Sequence, residues 1–330
     1  MPWFDLPLEQ LREYRTGTPE PDGLDAWWTG RIEEARALAR PPAVTPHQPG
    51  LYGPVEVYDV EFSGGAGDRI RAWYLRPRDT PEAPAVVKFI GYGGGRGTPG
   101  EHILLPALGY ALLVMDSRGQ GGKWTTGATP DGARGTGPEN AQVMTRGITR
   151  PEDYYYTRMF TDAVRAVDTA VELAAASSDA VAQVAVTGGS QGGALALAAA
   201  ALNRDIVRVC HADVPFLCDI QRAITLAPQA PYTEIPQFLS QNLALIEPAL
   251  NTLRYVDCAL LARRITAATL MSVGLMDDVC PPSTVFAAYN EIASAKEIAV
   301  FPYTGHEGAS EHTERQLAHL HDHFPAGPAH

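Results

Sequence analysis

The run Gly188-Gly189-Ser190-Gln191-Gly192 constrains this chain most. It stands where the strand-forming stretch 181–187 gives way to the Ala- and Leu-rich stretch 191–203, which is helical in pattern. A serine between a strand and a helix occupies a sharp turn, and flanking side chains would strike the neighbouring backbone there. Glycine removes that clash. A G-x-S-x-G string alone is also what any glycine-rich turn with a surface serine would show. The strand before it and the helix after it favour a nucleophile at Ser190.

The rest of the chain agrees with such a turn. Residues 55–62 and 69–77 alternate apolar and polar side chains around SGGAGD and read as a hairpin. Apolar strands follow at 83–91, 110–115, 181–189, 205–215, 268–274 and 296–301, with helical patterns at 152–176, 191–203, 281–292 and 310–323 between and after them. Strands alternating with helices imply an α/β fold with a mostly parallel sheet covered on both faces and right-handed crossovers. Residues 1–330 read as a single domain. Residues 1–50 form a peripheral helical extension whose Trp3, Trp27 and Trp28 cover a core edge or a subunit contact. Residues 213–255, rich in Leu, Ile, Pro and Gln, form a helical insertion over the carboxyl ends of the strands.

Composition narrows the function. A formal net charge of -12 disfavours nucleic acid and anionic membranes as partners. The beginning MPWFDLPLEQ has acidic residues where a secretion signal would be basic and then apolar, and no stretch has the length of a membrane span, so the expected location is the cytoplasm. Cys210, Cys218, Cys258 and Cys280 lack a C-x-x-C pair and read as buried free thiols.

A serine nucleophile needs a base, and the base needs an orienting carboxylate. His306 follows the last strand in PYTGHEG and is the favoured base. His211, next to Asp213, reads as a satisfied buried histidine. His319, His321 and His323 near the end do not make a metal site, and no metal or organic cofactor is implied. The carboxylate should follow the preceding strand, where Asp277 and Asp278 stand side by side. Residue chemistry leaves that choice open, since either could equally cap the helix that follows. The oxyanion donors expected are the backbone N–H of Gln191 and, from the loop Gly91-Tyr92-Gly93-Gly94-Gly95, that of Tyr92. The glycine loop lacks the Lys-Ser/Thr pair of a phosphate cradle. Arg118, in DSRGQGG, reads as a clamp between loops.

Three motifs in order, Arg118-Gly119-Gln120, Gly188-Gly189-Ser190-Gln191-Gly192 and His306-Glu307, resemble those of the acetyl xylan esterase and cephalosporin C deacetylase family, carbohydrate esterase family 7. The runs GYGGGRG, MTRGI, YYYTRMFTDAVRAV, DVPFLC and GLMDDVCPPSTVFAAYN are similar to it as well. The resemblance covers nearly the whole chain. It implies an α/β-hydrolase fold, Ser190 as nucleophile, His306 as base, and Asp277 rather than Asp278 as the acid. It also implies Tyr92 and Gln191 at the oxyanion positions, with Arg118, Gln120 and Glu307 structural near the site. The implied substrates are acetyl esters of short xylo-oligosaccharides and cephalosporin C, and the implied assembly is a cytoplasmic homo-hexamer in which the 55–76 hairpin meets another subunit. Ser117 stands where the family commonly has threonine, and the 121–147 loop differs in detail. Rival readings are a serine peptidase, an esterase for longer acyl chains, or a non-catalytic binding protein on the same fold.

Overall fold

The computed structural model describes residues 4–80, 82–132, 142–175, 183–307 and 310–326. Trp3 and the first residues of the strand expected at 181–189 lie outside them. One sheet of nine strands organises the chain: β1 Ala43–Pro46, β2 Val55–Ser63, β3 Arg69–Pro77, β4 Ala85–Phe89, β5 Ala111–Met115, β6 Val184–Gly189, β7 Val207–Asp213, β8 Ala268–Gly274 and β9 Lys296–Phe301. Their order is β1-β2-β3-β5-β4-β6-β7-β8-β9. The strands from β5 to β9 pair in parallel, and β1, β2 and β3 extend the sheet antiparallel. This is the mostly parallel, helix-covered sheet expected from the alternating pattern, and the α/β-hydrolase fold that the family resemblance implied.

The central strands are apolar throughout because both faces are covered. One face meets the helices Leu24–Ala37, Tyr155–Ala175, Gln191–Leu202 and Pro282–Glu291, whose side chains join one large core. The other face packs Val86, Leu112, Val114, Ala185 and Val209 against Leu320 of the last helix, Ser310–His323. Every residue of Gln191–Leu202 except the last is buried. That position explains a helix of Ala and Leu with no polar side.

Two features differ from the sequence reading. The stretch 1–50 also contributes β1, a short exposed edge strand ending at Pro46, which cannot donate a further ladder bond. The extension is also less peripheral than expected, because Leu11, Leu24 and Trp28 sit in the main core. Apolar spacing alone does not separate a helix lying on a core from one completing it. The insertion between β7 and β8 carries the helices Ile220–Leu226, Glu234–Gln241 and Ile246–Leu253. The four cysteines are free and buried.

Candidate active site

Ser190, Asp277, His306 and Tyr92 each follow a parallel strand at its carboxyl end: β6, β8, β9 and β4. Loops at that edge are where ligands gather in open α/β sheets. Ser190 caps the helix Gln191–Leu202 with φ 56° and ψ −119°, a conformation that a side-chain-bearing residue holds only under strain. Its N–H donates to the Asp213 carbonyl at 2.8 Å, and its carbonyl accepts from Ala194 and Phe216 at 3.0 Å each. The turn can be this tight because a Cβ on Gly192 would lie 2.4 Å from the Phe89 carbonyl oxygen.

The Ser190 Oγ lies 2.9 Å from His306 Nε2, and His306 Nδ1 lies 2.8 Å from Asp277 Oδ2. Asp277 is buried. Its other oxygen accepts the N–H groups of Val279 and Cys280 at 2.9 and 2.8 Å, which fix the carboxylate. The neighbouring Asp278 faces Gln229 of the insertion instead, accepting from Nε2 at 2.6 Å. Of the two aspartates that residue chemistry left equivalent, Asp277 therefore meets the histidine.

Gln191 opens its helix, so its N–H has no acceptor within that helix. Tyr92, Ser190 and His306 line one cavity of about 830 Å³. Tyr92 is held through both ends. Its hydroxyl donates to Glu234 Oε1 at 2.6 Å and accepts from Val143 N–H at 3.2 Å. Its carbonyl accepts from Trp124 Nε1 at 2.9 Å. Burial and the Glu234 carboxylate push the phenol far above its ordinary range, so it stays a neutral donor.

Beneath these groups lies a polar net that sequence reasoning found only in part. Gln120 Oε1 accepts from Gly93 N–H at 2.7 Å, and its Nε2 donates to Tyr155 Oη and to Gln191 Oε1 at 2.8 and 2.9 Å. Gln191 Nε2 donates to the Ile90 carbonyl at 3.1 Å, and Gln191 Oε1 also accepts from Tyr156. The two glutamines thus tie the serine turn to the loop after β4. Arg118 is buried and grips Asp162 through two 2.7 Å bonds and Asp68 through one of 2.8 Å. It is not among the described residues that line the cavity. Glu307 is exposed and accepts from Gly305 N–H at 3.1 Å, closing the turn that carries His306. The partners Tyr155, Tyr156 and Asp162 lie in the family-like run YYYTRMFTDAVRAV, which was the available signal. Glu234 and Trp124 carried none.

His211 is buried and meets His319 Nδ1 at 3.1 Å. Asp213, its neighbour in sequence, is bound by His312 and Gln316 at 2.6 and 2.8 Å. Among the described residues, no helix is long and apolar enough to cross a membrane.

A family model described as acetyl xylan esterase (AXE1) matches residues 1–323. The chain is 27% identical over 317 residues to the acetyl esterase Axe7A of Xylanibacter ruminicola, a match covering 94% of this chain and 69% of that protein. The solved acetyl xylan esterase from Paenibacillus sp. R4 superimposes with a TM-score of 0.86 at 34% identity, covering 97% of this chain and 100% of that one. Acetyl xylan esterase 1 from Thermoanaerobacterium sp. JW/SL YS485 does so with the same TM-score at 33% identity and the same coverage. With a matching fold, near-complete coverage and a match to the family model over nearly its whole length, this chain belongs to the acetyl xylan esterase family and is a carboxylic ester hydrolase.

Proposed function

We propose that this chain is a serine deacetylase that removes acetyl groups from short xylo-oligosaccharides, and from small acetyl esters such as cephalosporin C, through an acetyl-enzyme. One observation carries the reading: the unbroken hydrogen-bonded series Ser190 Oγ, His306, Asp277, built on a strained serine at the strand-to-helix turn. The relatives described as acetyl xylan esterases support the choice of acyl group and alcohol.

With Asp277 as a carboxylate, its Oδ2 accepts from His306 Nδ1–H, which leaves the Nε2 lone pair facing Ser190. Nε2 takes the hydroxyl proton as Oγ bonds to the acetyl carbonyl carbon. The backbone N–H groups of Gln191 and Tyr92 hold the oxyanion, and the loss of one such donor costs about 3 kcal/mol in the transition state. Collapse breaks the bond to the sugar oxygen, which receives the proton from Nε2. Water then repeats the sequence, with His306 as base, and releases acetate and free Ser190. Arg118, Gln120 and Glu307 act as structural supports. The assembly proposed is a homo-hexamer, which light scattering would report as six times the 35.5 kDa chain mass.

A fluorophosphonate probe and a substrate panel test the reading. The probe should label the native protein and not Ser190→Ala. Acetylated xylo-oligosaccharides and cephalosporin C should release acetate faster than longer acyl esters are cleaved, and peptides should remain intact. Undiminished labelling of Ser190→Ala, or peptide cleavage without acetate release, would sink it.

A further inference from the structure

The acyl-transfer steps above make no use of the largest apolar side chain on the wall of the Ser190 cavity. Trp124 is 57% exposed, whereas Trp28 and Trp73 are buried. It lines the same cavity as Ser190 and His306. A large apolar ring left open to water beside a reactive group calls for a ligand to cover it.

Trp124 is also fixed. Its Nε1 donates to the Tyr92 carbonyl at 2.9 Å. Its six-membered ring lies where side chains of the glycine loop would otherwise be: a Cβ on Gly94 would sit 2.4 Å from Cζ2 and 2.6 Å from Cε2. The loop is therefore built around the indole. With its N–H already engaged, the indole can offer a ligand only its apolar surface. A ring held in place beforehand loses little freedom on binding.

A sugar ring has faces of C–H groups and a rim of hydroxyls. The faces suit a fixed aromatic surface, and the rim suits polar side chains. Glu101, Lys123 and Gln229 line the same cavity and provide such groups. An acyclic acetate has no comparable face. We propose that Trp124 is the platform on which a sugar ring of the departing alcohol stacks, and that it sets the preference for acetylated carbohydrate over small acyclic acetates. This deepens, and rests on, the deacetylase reading above.

The test compares Trp124→Ala and Trp124→Phe on acetylated xylo-oligosaccharides and on ethyl acetate. It also measures binding of unacetylated xylotriose to Ser190→Ala protein by calorimetry, with and without Trp124→Ala. For Trp124→Ala, the ratio of kcat/KM for oligosaccharide to that for ethyl acetate should fall about tenfold, carried by KM, the scale of one lost aromatic contact. Xylotriose binding should weaken by a similar factor. Trp124→Phe keeps a ring face but loses the bond to the Tyr92 carbonyl, and should retain most of the ratio. Two results would overturn the platform. One is an equal loss on both substrates through kcat, which assigns the indole to holding the Tyr92 loop. The other is Trp124→Phe falling as far as Trp124→Ala. Failure of the deacetylase reading looks different: ethyl acetate is cleaved and the oligosaccharide is not. Xylotriose binding then still decides the platform.

Discussion

At the scale of single residues, the two neighbouring aspartates separate by what their oxygens face. Asp277 has one oxygen held by two backbone N–H groups and the other on His306. Asp278 has an oxygen on Gln229. Asp277→Asn keeps the shape but can present an N–H to Nδ1, which favours the wrong histidine tautomer. Its kcat on an acetyl ester should fall by about 10³ to 10⁴ with little change in KM, as such replacements do in comparable triads. Asp278→Asn should cost only a few-fold. A steady-state comparison of the two variants checks this, and a severe loss confined to Asp278→Asn would reverse the assignment. Gln191 combines two tasks in one residue. Its N–H is proposed for the oxyanion, while its buried amide meets Gln120, Tyr156 and Ile90. Gln191→Leu keeps the N–H but removes those bonds, leaving three buried polar partners short at roughly 1–3 kcal/mol each at most. It should lower the melting temperature clearly and kcat as well, because the loop after β4 loses its tie to the serine turn. A variant with wild-type stability would show that the net contributes little.

At the scale of elements, the sheet carries the site by its carboxyl edge, and a buried ion pair binds one covering helix to the loop after β5. Arg118 from that loop grips Asp162 of the helix Tyr155–Ala175, and Asp162 also accepts Gly65 N–H at 2.8 Å from the β2–β3 connection. Both side chains of the pair are fully buried. Arg118→Met would leave Asp162 as an uncompensated buried charge, a loss of about 3–5 kcal/mol. Arg118→Met with Asp162→Leu should recover part of it, and thermal melts of the three proteins measure the difference. No recovery in the double variant would mean that hydrogen bonds to Asp68 and Gly65, not the buried charge, dominate. The strands, helices and serine turn were legible in the sequence because periodicity and glycine placement are local signals. The clamp at Arg118 was legible as a clamp, but its pairing with Asp162 was not: the family-like run marks that stretch of helix without saying what it meets 44 positions away. Glu234 and Trp124 were illegible for the same reason. Each acts through a contact set by how an insertion or a loop folds back over the strand ends, and no period or motif in the chain records that.

At the scale of the whole molecule, the last helix closes the second face of the sheet, and histidines make much of that contact. His211 on β7 meets His319, whose ring centre lies 4.5 Å from that of His323 in a tilted arrangement. His312 meets Asp213. Lys88, Glu101 and His102 face the same cavity as His211 from β4 and the turn beside it. Burial drives His211 down to about 3, and the charges that His319, His312 and His323 can carry add to the shift. The native protein therefore keeps His211 neutral in a range where an unfolded chain, with an ordinary value near 6.5, takes up a proton. Between about pH 6.5 and 3 the unfolded state binds the extra proton, so stability falls as pH falls, at up to about 1.4 kcal/mol per pH unit. Lowering the pH from 7 to 5 should cost roughly 2 kcal/mol through this one residue. His211→Leu removes the titrating group together with its bond to His319 Nδ1. Urea midpoints at pH 7, 6 and 5, at one protomer concentration so that assembly does not shift them, should converge: the variant's midpoint falls less on acidification than the native one. Parallel loss in both proteins would place the acid sensitivity elsewhere. The remaining candidate would then be His319 on the same helix, which burial also holds below its ordinary value.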